Sequence, residues 1–151
     1  MKEFNSINDI LDFAINAEQE AVDFYNQLAE NSKNSDMKDV FTQFAQEEIG
    51  HKARLTKIKH EGIYELKKEE IADLKIADFL VSAKATPEMS YQEALVLAMK
   101  KEKAAFKLYL ELSNRAQNDE MKNVFLSLAQ EESKHKLRFE LEYDEFILRE
   151  N

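Results

Sequence analysis

Two short stretches of this chain have the residue types and spacing to do chemistry together: Gln46-Glu47-Glu48-Ile49-Gly50-His51 and Gln130-Glu131-Glu132-Ser133-Lys134-His135. Each contains Glu-x-x-His, and on a helix that spacing stacks a carboxylate and an imidazole on one face, one turn apart. The copies are separated by 84 residues, and the same offset carries Glu18 onto Glu102. One Glu-x-x-His in a helix is a weak signal. Two in register, each accompanied by a further glutamate, are the donor set for two metal ions: Glu18, Glu48, His51, Glu102, Glu132 and His135.

Hydrophobic periodicity supplies the elements that must hold these residues. A first helix is predicted from an N-cap at Ser6 to about Asn31, with the seam Ile7, Leu11, Ala14, Glu18, Ala21, Tyr25, Leu28 stepping by four and three. A second begins near Ser35 or Asp36, carries Met37, Phe41, Phe44, Glu48, His51, Leu55, Ile58, and ends at Gly62. Glu18 lies 15 residues before Lys33 and Glu48 15 after it, so an antiparallel hairpin brings the two acids to one height. A third helix starts at Ser90 with a capping box to Glu93 and the seam Tyr91, Leu95, Ala98, Glu102, Ala105, Tyr109, Leu112. A fourth follows a turn near Gln117 with Met121, Phe125, Leu128, Glu132, His135, Phe139, and continues through Tyr143, Phe146 and Ile147. Residues 6–61 and 90–145 align without a gap at 20 identities in 56 positions. The chain therefore reads as one all-α domain over 1–151, two repeated hairpins at about 6–62 and 90–146. Residues 63–89 form a long crossover, with a short helix expected around Ile71–Ala83 and an end at Pro87.

Four carboxylates on buried seams pose a physical problem, because unpartnered charge in a low-dielectric core costs several kcal/mol and the four repel one another. Either they carry protons, as in a decayed site, or cations neutralise them. No Lys or Arg occupies the seams nearby, so the cations would be external, and two divalent ions balance four glutamates. The oxygen-rich donor set suits iron or manganese better than zinc. Tyr25 and Tyr109, two turns beyond Glu18 and Glu102, read either as donors to ligand carboxylates or as core aromatics. Glu20, Glu47 and Glu131 fall off the seams and read as solvated, and His60 as a surface histidine.

Composition narrows the classes. Two Gly and one Pro in 151 residues fit long helices with few turns. Absence of Cys excludes disulfides and cysteine-ligated metal within the chain. A formal charge of −9 works against nucleic acid or anionic lipid as partner. Neither a signal-peptide core nor an apolar run of the roughly 18 residues needed for a membrane span is visible, so the protein is expected to be soluble and cytoplasmic.

The motifs Ala14-x-x-x-Glu18-x-x-Ala21-x-x-x-Tyr25 with Glu48-x-x-His51, and Ala98-x-x-x-Glu102-x-x-Ala105-x-x-x-Tyr109 with Glu132-x-x-His135, resemble the ferritin-like di-iron carboxylate proteins, specifically the rubrerythrin branch. The resemblance implies a ferritin-like four-helix bundle holding two iron ions, with manganese or zinc as substitutes. Glu48 and Glu132 would bridge the irons, Glu18 and His51 would cap one, and Glu102 and His135 the other. It also implies redox cycling and reaction with hydrogen peroxide or oxygen. Two departures are visible: no cysteines for a rubredoxin domain, so electrons would come from a separate rubredoxin-like donor; and no acid a turn from Glu102, where Ala98, Met99, Ala105 and Phe106 stand. The second departure bears on peroxidase turnover rather than on the ligand set. Three functions compete: a peroxide-reducing oxidoreductase in oxidative-stress defence, a ferroxidase for iron storage or homeostasis, and a helical module with vestigial acids. A homodimer is expected from the resemblance and from Phe79 and Phe146 as unfilled apolar positions.

Overall fold

The computed structural model describes residues 3–81 and 84–150. Its regular elements are α1 (Ile7–Asn31), α2 (Ser35–Glu61), α3 (Lys68–Asp73), a 3-10 turn (Ile76–Asp78), α4 (Tyr91–Arg115) and α5 (Asp119–Glu150), with no strand among the described residues. The chain divides into two units, Met1–Ile76 and Ala77–Asn151, each built on one helical hairpin.

In the first unit, Ser6 Oγ accepts the Asp9 amide at 3.1 Å to start α1. Asn34 Oδ1 accepts the amides of Asp36 and Met37 at 2.9 and 3.1 Å to start α2, satisfying donors that a helix start leaves open. Gly62 closes α2 at φ 63° and ψ 30°, a left-handed cap that favours a residue without a Cβ. The antiparallel register is fixed by two bonds of 2.7 Å: Lys52 Nζ to Gln19 Oε1 and Lys59 Nζ to Asp12 Oδ1. Seven residues forward on α1 match seven back on α2. Leu11, Ala14, Glu18, Ala21 and Tyr25 of α1 are buried, as are Met37, Phe41, Glu48, His51, Leu55 and Ile58 of α2. Ile10, Val22 and Phe24 are buried too, so the α1 stripe is wider than the expected seam.

The second unit repeats the plan. Ser90 and Glu93 form a complete capping box on α4, and Asn118 Oδ1 accepts the Met121 amide at 2.8 Å at the start of α5. Ser113 Oγ donates to the Lys122 carbonyl at 2.8 Å beside the turn. At the far end, Tyr91 and Gln92 of α4 bond Glu142 and Tyr143 of α5 at 2.7 and 3.3 Å.

The crossover departs from expectation. Its helix spans Lys68–Asp73 rather than about Ile71–Ala83, and among the described residues of the crossover only the 3-10 turn follows. The cause is burial: Leu74 and Ile76 are both buried two residues apart, a spacing that a helix directs to different faces. The expected helix end at Ser82 and Ala83 lies outside the described residues. Pro87 does punctuate the chain, in a turn closed by the Met89 amide on the Thr86 carbonyl at 3.1 Å. Phe79 is a second correction: it is buried, with Lys107 Nζ 5.9 Å above its ring. Phe146 packs edge-on against Tyr91 with centroids 5.1 Å apart. Neither ring is an unfilled position, so the homodimer expectation draws no support from them.

Gly50 sits inside α2, exposed, where an added Cβ would meet nothing within 4 Å. Gly50→Ala should therefore stabilise the metal-free protein by about 0.5–1 kcal/mol in urea denaturation. An unchanged or lower midpoint would show that this turn of α2 is not an ordinary helix interior.

Candidate metal centre

Register does the positioning. In α1 and α2 the steps of three and four put Glu18, Glu48 and His51 on the buried faces of one hairpin, with side-chain exposures of 2%, 1% and 1%. His51 Nδ1 lies 3.1 Å from Glu48 Oε1 and 3.6 Å from Glu18 Oε2. The second hairpin brings Glu102, Glu132 and His135 together in the same way. There His135 Nδ1 lies 3.6 Å from Glu102 Oε2 and 3.9 Å from Glu132 Oε1. Within each set, one donor atom per residue lies within 4.8 Å of the others. All six predicted residues are buried, three in each hairpin.

These separations suit a metal. Donors held at about 2.1 Å from one ion, at right or tetrahedral angles, sit roughly 3.0–3.4 Å from each other. The first set is near that range and the second slightly wider. The charges agree: two buried carboxylates against one imidazole leave each set negative even when the imidazole is protonated. A dication removes the deficit and supplies the desolvation energy that these side chains otherwise lack. A hard or borderline divalent ion fits the oxygen–nitrogen donors.

Burial alone pulls the His51 imidazole toward neutrality. The Glu18 and Glu48 carboxylates more than reverse this, by hydrogen bonding and by charge, and push it up to about 10. At neutral pH the metal-free side chain therefore holds a proton, which an incoming ion must displace.

The other residues singled out from sequence fall as follows. Tyr25 and Tyr109 are fully buried on the seams; Tyr25 lies 5.7 Å from Phe24 and Tyr109 6.2 Å from Phe125 by ring centroids. His60 and Glu20 are exposed. Glu47 and Glu131 are half-buried rather than fully solvated, because each sits one step round the helix from a buried ligand. Glu142, not anticipated, is buried at 2% exposure, accepting from Tyr91 and 3.3 Å from Arg149 Nη2. Burial and the Glu142 bond together raise the Tyr91 phenol well above its ordinary range. The signal for Glu142 was present: it continues the α5 stride three residues past Phe139, where the first hairpin has Ile58. No helix among the described residues is long and apolar enough to cross a membrane.

The family profile described as "Ferritin-like domain" matches residues 7–140. A solved structure from Thermotoga maritima, provisionally described as a ferritin-like diiron-carboxylate protein, superposes with a TM-score of 0.77 at 22% identity, covering 96% of this chain and 99% of that one. A hypothetical protein from Pyrococcus furiosus gives 0.68 at 28% identity, covering 89% and 86%. The likeness to the first shows a shared all-helical, ferritin-like fold. No curated protein sequence matches significantly.

The His51 shift has a pH consequence. A histidine raised in the folded state adds stability that is fully present below its unfolded value of about 6.5 and is lost as pH rises through about 10. Metal-free protein should thus lose stability between those limits in urea denaturation, and His51→Gln should flatten the slope. A wild-type profile already flat over that window would contradict the placement of Glu18 and Glu48 against His51.

Proposed function

This chain belongs to the ferritin-like domain family, and from that premise we propose that it is a rubrerythrin-like di-iron oxidoreductase that reduces hydrogen peroxide. One observation carries the reading: the same buried Glu–Glu–His set occurs twice, with imidazole-to-carboxylate distances of 3.1–3.9 Å. In this proposal the hairpins form one domain. Glu18 and His51 would hold one iron, Glu102 and His135 the other, and Glu48 and Glu132 would be shared between them. When bound, such a pair supplies two electrons to peroxide or oxygen by moving between ferrous and ferric states.

The chain's own contributions are charge, exclusion of water and orientation. Four glutamates neutralise two divalent ions, and the imidazoles add donors without adding charge. Ala14, Ala21, Phe41 and Leu55 in the first hairpin, and Ala98, Leu128 and Phe139 in the second, are buried along the same faces. They keep bulk water from the donors, which strengthens every electrostatic contact there. His51 surrenders its proton as the ion enters, so affinity rises with pH. In this reading electrons reach the centre from a rubredoxin-like carrier.

The departure near Glu102 supports a second reading, ferroxidase chemistry for iron storage or homeostasis. Where the resembling family has an additional acid, this chain has Ala98, Met99, Ala105 and Phe106 around Glu102. Stopped-flow mixing separates the two. After anaerobic iron loading, peroxide should oxidise the protein much faster than oxygen does. Oxygen preference with many irons per chain would establish iron handling instead, and no oxidation by either would defeat both readings.

Loss of a shared ligand is a sharper test of the assignment. Glu48→Ala or Glu132→Ala should abolish stoichiometric binding of two metals, while helicity survives or stability even rises as a buried charge is removed. Retention of two irons by either variant would disprove the sharing role.

A further inference from the structure

The two hairpins differ along one outer stripe of their first helices. On α4, Lys100, Lys103 and Lys107 step by three and four, so they occupy one face, and all three are exposed. The equivalent α1 positions, 84 residues earlier, are Asn16, Gln19 and Asp23. The same stripe is thus +3 on one hairpin and −1 on the other, in a chain whose net charge is −9.

The α4 stripe borders the groove with α5. Gln19 and Lys52 meet across α1 and α2 at 2.7 Å, and their repeat equivalents are Lys103 and Lys136, which places those two lysines across the α4–α5 groove. Gln92 and Tyr143 bond across the same side of that groove further along. Lys136 reaches Glu140 at 3.3 Å, and at the edges stand Asp78, beside Phe79, and Glu111, which pairs with Arg115 at 3.1 Å. Beside it, Lys107 lies over the ring of buried Phe79, and the next residue, Leu80, is 58% exposed. The result is a basic groove with an apolar knob at one edge. Lys103 and Lys136 are chain neighbours of Glu102 and His135, so the groove runs at the level of those donors, about one helix thickness of 10 Å away.

We propose that this groove is the docking site of an acidic electron-carrier protein, a role that rests on the redox reading above. The lysines give an acidic carrier a local attraction that the rest of this chain, at a net charge of −9, does not offer. Leu80 supplies the desolvated contact that a transient interface centres on. Each docking passes one electron, oxidising the carrier by one equivalent. Two dockings return an oxidised metal pair to its ferrous state, and the peroxide that oxidised it has taken two electrons and two protons to give two waters.

The test uses the full, iron-loaded chain and an acidic rubredoxin as probe. Calorimetric titration with oxidised rubredoxin should show binding at 20 mM salt that weakens about tenfold by 200 mM. The triple variant Lys103→Glu/Lys107→Glu/Lys136→Glu should bind at least about tenfold more weakly. Lys33→Glu/Lys38→Glu/Lys68→Glu, with the same net charge but altered elsewhere, should bind nearly as wild type. Reduction of the centre by reduced rubredoxin should slow in parallel, while reduction by dithionite is unchanged in both variants. Equal binding by the groove variant, equal loss in both variants, or no binding by wild type would overturn the docking site while leaving the metal centre intact. A chain that takes up no metal would instead remove the redox reading, and the docking proposal with it.

Discussion

The constraint on which everything else depends is the burial of four carboxylates and two imidazoles in a chain of 151 residues. A core that accepts four glutamates at 0–2% exposure gives up stability that apolar residues of like size would provide. The cost is tolerable only where the charge is compensated locally. His51 shows the compensation at work: its imidazole retains a proton against the pull of burial because two carboxylates flank it. In the first set the protonated His51 offsets one charge. A bound dication would meet the rest.

Much of the surrounding architecture follows from keeping these six side chains in place. Each hairpin is indexed at its turn by an asparagine cap, Asn34 or Asn118, and at its opening by a serine cap, Ser6 or Ser90. Caps at both ends set the helix phase, and steps of three and four then bring the ligands onto the buried face. Cross-helix bonds such as Lys52 to Gln19 hold the two helices in longitudinal register beside the ligands. A slip of one residue on either helix would rotate a glutamate by about 100° out of the site.

This logic is also why so much was legible from sequence. Helix ends at Ser6, Gly62 and Ser90 carry local chemical signals, and the gapless 84-residue repeat let each hairpin check the other. The same reading located the Glu–Glu–His members that lie together in each hairpin. It failed where structure depends on contacts distant in sequence. The crossover helix is displaced toward Lys68 because Leu74, Ile76 and Phe79 are buried by packing that no periodicity announces. Glu142 was passed over because the first hairpin has Ile58 in its place, and divergence between the repeats is invisible to an argument from their likeness.

Mössbauer spectroscopy of the chain loaded anaerobically with iron and then oxidised tests the central claim most directly, together with a count of iron per chain. If the six residues form one two-metal centre, the count is two and the ferric ions are antiferromagnetically coupled to a diamagnetic ground state. One iron per chain, or ferric ions that behave as magnetically isolated, would contradict the account.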